Sequence, residues 1–436
     1  MNAKRDYIKD VKIEKEVLLK GWVFELRVLS KMAFILLRDM TGMIQCIVKD
    51  GKLLKKIQEL TLESVIEIKG RAKKAQVKAE FARKDIEIEV TDLEILSKAE
   101  KLPIQVNEKA VSSELPSRLD WRSLSLRNPK SQAIFKIQAK LIEGMQEYLN
   151  NFGFNQVFTP CLMGVASESG SEVFEVQYFK KKSFLRQDPQ LHRQLTILGG
   201  MEKIYDIGPS WRAEKSNTIK HLTEHRTCAV EMAFIDSEKD VMRVEEQVVI
   251  SAFRKVNKEC QNELDFLGVK LKIPKLPFPE IEFPEVYTIL KKMGKEIKKG
   301  EDLDSEAEKL LWEHIQKKYP GAEFYFVNKF PFAKKPFYVY CDEGEEYARS
   351  TDLYYKGIEM SSGGQRENRY TKLMKNIKDK KIPPESVEWF AKFFKYGVPT
   401  HGGFAIGIER ITMVLLGLEN IREAVLFPRD PGRLTP

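Results

Sequence analysis

The chain has 436 residues, long enough for two or three domains, and 42% of them are hydrophobic, as in a globular protein with a substantial core. Its 73 lysines and arginines against 64 acids leave a net charge of +9, which fits a polyanionic partner, although abundant lysine and glutamate together equally fit adaptation to heat. Five scattered cysteines without a C-x-x-C argue against a zinc site or a disulfide framework, and no leader-like or membrane-length apolar run occurs, so a soluble cytoplasmic protein is expected.

Residues 1–102 read as β-structure. Segments 17–27 and 32–38 are strand-like, 39–42 make a turn, and 43–48 return from it. Segments 62–70 and 85–91 alternate apolar and charged residues at period two, with a short helix expected at 53–59. Five strands and one helix predict a five-stranded OB-type β-barrel, a fold that commonly binds oligonucleotides; another small barrel or sandwich also fits. Residues 103–130, polar and marked by Pro103 and Pro116, read as a hinge.

The remainder, 131–436, reads as a second domain. A helix begins at Ser131, sets Ile134, Ile137, Leu141, Met145 and Leu149 on one face, and stops at Asn151-Phe152-Gly153. Residues 154–159 then read as a strand closed by Pro160. Helix and strand together suit a dimer interface, or equally a core helix and an edge strand. The lysine-rich, proline-marked stretch around 260–340 reads as an insertion without an assignable role.

Three polar segments carry the chemistry. Arg212, in Trp211-Arg212-Ala213-Glu214, follows an apolar stretch, with Lys220 and His221 in the loop beyond it. Arg410 ends Gly407-Ile408-Glu409-Arg410 at the start of an apolar helix. Guanidinium groups grip phosphate oxygens two at a time and never lose their charge, so two of them suit a triphosphate. Between them, Glu359 and Ser362 offer hard oxygen ligands for Mg2+, Gly363-Gly364 permits close backbone approach, and Arg366 offers a clamp for a carboxylate. Taken singly, each segment fits a plain role as well: a solvated hairpin with Arg212 paired to Glu214 or Glu231, or a surface turn. The glycines form neither a P-loop nor a dinucleotide fingerprint.

The strings Arg212-Ala-Glu-Lys-Ser-Asn-Thr-Ile-Lys-His221, Glu359-Met-Ser-Ser-Gly-Gly-Gln-Arg366, Gly407-Ile-Glu-Arg410 and Leu426-Phe-Pro-Arg-Asp430 resemble the signature motifs of class II aminoacyl-tRNA synthetases. Nearly end to end the chain is similar to the archaeal-type aspartyl branch. The resemblance implies an α+β fold, an antiparallel sheet with flanking helices, joined to an OB-fold anticodon-binding domain at 1–102. It implies a homodimer that activates aspartate with ATP and Mg2+ and transfers it to tRNA. By position, Arg212 would hold the α-phosphate, Glu214 the adenine or the tRNA end, and Arg410 the γ-phosphate. His221 would approach the pyrophosphate, with Lys220, Leu222 and Gly407 lining the ATP site. Glu359 and Ser362 would hold Mg2+. Glu168, Gln190, Arg193, Ser362 and Arg366 would bind the amino acid. Arg27, Phe34 and Gln45 would meet the anticodon.

Four departures cluster in the amino-acid pocket: Asp188 where the family has serine, Arg193 for lysine, His225 for phenylalanine, and Ala229 for aspartate. In the barrel, Phe24 stands where the family more often has tryptophan or histidine. The alternatives kept beside an aspartate–tRNA ligase are a paralogue that activates another amino acid and a tRNA-binding protein that no longer acylates.

Overall fold

The computed structural model describes all residues except 1–3, 108–112, 166–172, 214, 216 and 217. Two compact units divide the chain, Met1–Asn128 and Pro129–Pro436.

In the first unit, β1 (Glu16–Val28), β2 (Ala33–Asp39), β3 (Gly42–Val48), β4 (Val65–Lys74) and β5 (Ala82–Ser97) close a barrel in the order β1-β2-β3-β5-β4. All its pairs are antiparallel except β3 with β5. Alternation drives the closure: Ile66 and Ile68 of β4 and Ile86 and Ile88 of β5 point inward with Ile35, Leu37 and Ile44. Asp39 makes the β2–β3 turn by accepting the Thr41 and Gly42 amides at 2.6 and 3.1 Å. The helix between β3 and β4, Gly51–Ile57, starts earlier than the apolar pattern suggests. Asp50 caps it, accepting the amides of Lys52 and Leu53 at 2.8 and 3.0 Å.

The stretch read as a hinge contains two short helices, Leu115–Asp120 and Arg122–Ser125. Its last residues are anchored within the first unit. Asn128 Nδ2 donates to Val106 O at 3.1 Å, and Arg38 joins the buried Glu63 carboxylate at 2.8 Å and the Arg127 carbonyl at 2.8 Å.

The second unit holds β6 (Asn155–Gln156), β7 (Leu162–Met163), β8 (Glu175–Tyr178), β9 (Lys181–Leu185), β10 (Lys203–Trp211), β11 (Glu224–Ala233), β12 (Glu280–Glu282), β13 (Phe324–Asn328), β14 (Ser350–Tyr355), β15 (Ile358–Arg366) and β16 (His401–Gly407). Eight of these form one sheet in the order β12-β13-β14-β15-β16-β11-β10-β6. Its interior pairs are antiparallel and its two outermost pairs parallel. The segment read as an insertion therefore supplies one sheet edge, β12 and β13. It adds the helices Phe283–Lys292 and Ser305–Lys318, whose apolar faces share a separate core with Tyr325 and Val327. The strand expected at 154–159 contracts to β6, which pairs only with Ile204 and Tyr205 of β10.

One sheet face is covered by the helices Pro129–Asn151, Glu238–Glu259 and Ile408–Leu416, which share the main apolar core with Cys228 and Val230. Gly144 lets two of them touch: a Cβ there would lie 2.7 Å from the Ala252 Cα. Period two then turns Thr227, Ala229 and Glu231 of β11 to the opposite face. No helix among the described residues is long and apolar enough to cross a membrane.

Candidate active site

On that opposite face lies a cavity of about 270 Å³. Arg212 and Arg410 both line it. Arg212 follows the last residue of β10, and its amide bonds to the Thr223 carbonyl at 3.0 Å, closing the loop that carries Lys220 and His221. Arg410 lies in the first turn of the helix Ile408–Leu416, where β16 ends. Its Nη1 donates to the Glu359 carbonyl at 2.8 Å and lies 3.6 Å from Glu359 Oε1. Residues far apart in sequence thus converge because β10, β16 and β15 belong to one sheet.

His225 lines the same cavity. Burial, reinforced by the charges of Arg212 and Arg410, pushes its pKa down to about 3, so its ring is neutral and presents an aromatic face. His221 Nδ1 lies 2.6 Å from the Thr218 hydroxyl, and Leu222 is buried beside it. Lys220 approaches Glu308, on the helix Ser305–Lys318, at 3.8 Å. Burial pushes Glu308 up to about 7 against the pull of Lys220.

Glu359 and Ser362 line the cavity on β15, and Ser362 faces Asp352 of β14 in register. Asp352 was not singled out by the sequence, although it lies in the segment that leads to Glu359. It is buried, and Lys335 Nζ donates to its Oδ2 at 2.9 Å, while Oδ1 has no hydrogen-bond partner. Burial raises its pKa to about 6 in spite of Lys335, and the charge of Glu359 adds to the rise.

At the other end, Arg366 lines the cavity and is tied to Glu231, Nε to Oε1 at 3.0 Å and Nη2 to Oε2 at 3.3 Å. Gln190 joins both, donating to Glu231 Oε2 at 2.9 Å and accepting from Arg366 Nη2 at 3.0 Å. Gly403 is what lets these strands close. A Cβ there would meet the Val230 carbonyl at 1.9 Å and Glu231 Oε2 at 2.4 Å. Gly407 has no such need, since its nearest neighbour would be Arg410 Cβ at 3.5 Å.

Arg193 departs from its expected place. It does not reach the cavity wall, being 1% exposed. Its two η nitrogens grip Asp188, at 2.8 Å each, and Asp188 is the residue that faces the cavity. Glu168 and Glu214 lie outside the described residues. Glu231, Tyr338 and Lys335 were missed as site residues. For Glu231 the signal was available: it lies two residues beyond Ala229 on the same face of β11.

In the first unit, Arg27, Phe34 and Gln45 line one groove of about 540 Å³. Arg27 pairs with Phe34 across β1 and β2, and Gln45 Nε2 donates to Glu87 at 3.1 Å. Phe24 is wholly buried, edge-on to Phe81 at 5.8 Å, so its ring packs in the interior.

Residues 114–431 match the family described as tRNA synthetases class II (D, K and N), and residues 17–96 match the OB-fold nucleic acid binding domain. The aspartate–tRNA(Asp) ligase of Pyrococcus furiosus is 41% identical, over 97% of this chain and 96% of that one. The aspartate–tRNA(Asp/Asn) ligase of Methanopyrus kandleri is 40% identical over 99% of each. Among solved structures, asparaginyl-tRNA synthetase from Pyrococcus horikoshii complexed with asparaginyl-adenylate matches with a TM-score of 0.91 at 32% identity, covering 99% of this chain and 100% of that one. The aspartyl tRNA synthetase from Entamoeba histolytica matches at 0.88 and 30%, covering 99% and 93%. A family match over most of the chain, and relatives well above 30% identity from end to end, place it in the class II aminoacyl-tRNA synthetases, on their archaeal aspartate–tRNA ligase branch.

Proposed function

We propose that this aspartate–tRNA ligase carries out both of its steps in the cavity between Arg212 and Arg410. The observation that carries the reading is the convergence of those two guanidinium groups on one cavity that also holds Glu359 and Arg366. A carboxylate oxygen of aspartate attacks the α-phosphorus of ATP, and the bond to pyrophosphate breaks. The terminal ribose hydroxyl of tRNA then attacks the acyl carbon, and AMP leaves. Catalysis here is alignment and charge neutralisation.

Arg212 holds the α-phosphate and stabilises its developing charge. Arg410 takes the γ-phosphate, and His221 and Lys220 reach the outer phosphates from their loop. The neutral ring of His225, kept unprotonated by burial and by the charges of Arg212 and Arg410, stacks on adenine. Leu222 and Gly407 line this end, and Glu214 contacts the adenine or the tRNA end. Arg366 receives the side-chain carboxylate of aspartate, with Gln190 and Glu168 toward its α-amino group.

The oxygen donors of Glu359, Ser362 and Asp352 suit a hard cation, and the partnerless Asp352 Oδ1 supports that fit. Among the described residues no group of three His, Cys, Asp or Glu side chains gathers to hold a metal by itself. These two carboxylates and one hydroxyl would hold Mg2+. When bound, Mg2+ would supply positive charge to offset that of the phosphates. Arg27, Phe34 and Gln45 form the anticodon platform. The protein acts in the cytoplasm and as a homodimer, and the second of these readings is supported by Phe158, which is 84% exposed just beyond the edge strand β6.

The test is ATP–pyrophosphate exchange with a panel of amino acids, followed by charging of tRNA(Asp) and tRNA(Asn) transcripts. Aspartate-dependent exchange and charging are expected. Exchange and charging both absent with every tRNA of its own cell would overturn the reading, and best turnover with another amino acid would make it a paralogue.

A further inference from the structure

The string Leu426-Phe-Pro-Arg-Asp430 contributes nothing to the cavity wall, yet it belongs to a segment that runs beside the loop carrying Lys220 and His221. At the base of that loop the Thr223 amide donates to the Arg429 carbonyl at 2.9 Å. Further along it, the Ile421 amide donates to the Ile219 carbonyl at 3.0 Å, and Arg422 Nη1 donates to the Thr218 carbonyl at 3.1 Å. Arg422 is itself fixed. Its Nε donates to Asp430 Oδ2 at 2.6 Å, and the two side chains are each only 8% exposed. Its Nη1 also reaches Asn420 Oδ1 at 3.2 Å.

The same segment is tied to the element that carries Arg410. Ile421–Ala424 forms a short 3-10 turn beyond the helix Ile408–Leu416. Gln138, on the helix Pro129–Asn151, donates to the Ala424 carbonyl at 2.9 Å and to the Thr412 hydroxyl, in the Arg410 helix, at 3.3 Å. A continuous set of bonds therefore runs from the Arg410 helix, through Gln138 and the turn, to the Thr218 carbonyl. Thr218 passes it on: its hydroxyl lies 2.6 Å from His221 Nδ1 and accepts the Lys220 amide at 3.3 Å. By contrast, the contact of Lys220 with Glu308 is loose, at 3.8 Å. A cation on an unanchored polar loop has to be ordered by its ligand, and that ordering weakens binding; an anchor set beforehand removes the cost.

We propose that Arg422 is a positioning residue for the nucleotide: anchored on Asp430, it clasps the Thr218 carbonyl and so holds Lys220 and His221 at a fixed place relative to Arg410. The inference rests on the reading that this loop reaches the outer phosphates of ATP. Arginine suits the task because its planar group points two ways at once, Nε at the carboxylate and Nη1 at the carbonyl. A lysine ammonium keeps the charge as a single point and cannot hold both partners in that geometry.

The experiment is ATP–pyrophosphate exchange by the full chain, varying ATP and aspartate in turn, for the unsubstituted protein and Arg422→Lys, each also in a Lys220→Ala/His221→Ala background. Arg422→Lys is expected to lower kcat/KM for ATP about tenfold, with the KM for aspartate within about twofold, and to cost less than about twofold in the background that lacks the two cations. An unchanged kcat/KM for ATP in folded Arg422→Lys overturns the proposal. So does a rise in both KM values together, or a tenfold loss that persists in the background, which is what a merely structural role gives. If Arg422→Lys does not fold, as judged by circular dichroism, Asp430→Asn takes its place under the same outcomes. Failure of the underlying reading looks different: removal of Lys220 and His221 alone then leaves the KM for ATP unmoved, and the proposal falls with it.

Discussion

The two ends of the cavity handle charge in opposite ways. At the nucleotide end the side chains of Arg410 and Glu359 are 28% and 37% exposed and touch each other only loosely, at 3.6 Å. At the amino-acid end the side chains of Arg366 and Glu231 are 6% and 0% exposed and joined at 3.0 Å. The first arrangement leaves cations and carboxylates open to meet a ligand that brings its own charge and, with Mg2+, its own counter-charge. The second fixes its shape before any ligand arrives. Discrimination between two small amino acids needs that rigidity, since a wall that repacks accepts both. A triphosphate, with many oxygens and high charge, is held well by groups that adjust.

The comparison breaks most severely at Arg366. In Arg366→Ala, Glu231 stays buried without its cation, which costs about 3–5 kcal/mol of stability and abolishes aspartate-dependent exchange together. Thermal unfolding read beside the exchange assay checks this, and a variant of unchanged stability would show that the amino-acid end is not pre-built. Next comes Arg212→Ala, expected to lower kcat/KM for exchange by about 10²–10³ while the melting temperature stays close to that of the unsubstituted protein. Loss of activity with fold at one end, and without it at the other, is the signature of the contrast.

Much of this was legible in the residues. Period-two alternation marked β4 and β5, and the Gly- and Arg-bearing strings marked Arg212, Glu359, Arg366 and Arg410, because phosphate and carboxylate recognition demands particular side chains. What stayed hidden was set by three-dimensional order. Arg193 and Asp188 were both visible as altered positions, but only the geometry places the acid in front of the guanidinium. Asp352 sat in the right segment, yet its face is defined by its register with Ser362 across β14 and β15. The stretch around 260–340 read as an insertion because β12 pairs in parallel with β13 across a long intervening segment, a pairing without a local signal.

A smaller effect separates activation from tRNA recognition. Phe34 shares its groove with Arg27 and Gln45 in the other unit, far along the chain from either end of the cavity. Phe34→Ala removes one stacking platform and is expected to raise the KM for tRNA about tenfold, consistent with ~1–3 kcal/mol per stacked base. ATP–pyrophosphate exchange should be unchanged. A fall in exchange would mean that the contrast between the two ends is not self-contained within the second unit.

The smallest effect concerns the strand both ends share. Ser361, between Glu359 and Ser362 on β15, turns to the helical layer and donates its hydroxyl to Glu245 Oε1, while Glu245 Oε2 has no partner. Burial pushes the Glu245 carboxyl up to about 8 from its ordinary 4.5, with Asp352 and Glu246 adding to the rise against the Ser361 hydrogen bond. The folded state therefore holds one more proton than the unfolded chain across that window. The resulting stability is fully present below about 4.5 and is lost as pH rises toward 8. Glu245→Gln keeps the shape and the hydrogen bond to Ser361 but does not titrate. Its melting temperature should fall less than that of the unsubstituted protein between pH 5 and pH 8. Scanning calorimetry at the two pH values decides it, and parallel slopes would mean that Glu245 is already ionised in the fold. Because Glu245 supports β15 from beneath both ends, the KM for ATP and the KM for aspartate should move together or not at all. Movement of one alone would reveal that the rigidity of the amino-acid end depends on this buried acid as well as on the Asp188–Arg193 fork.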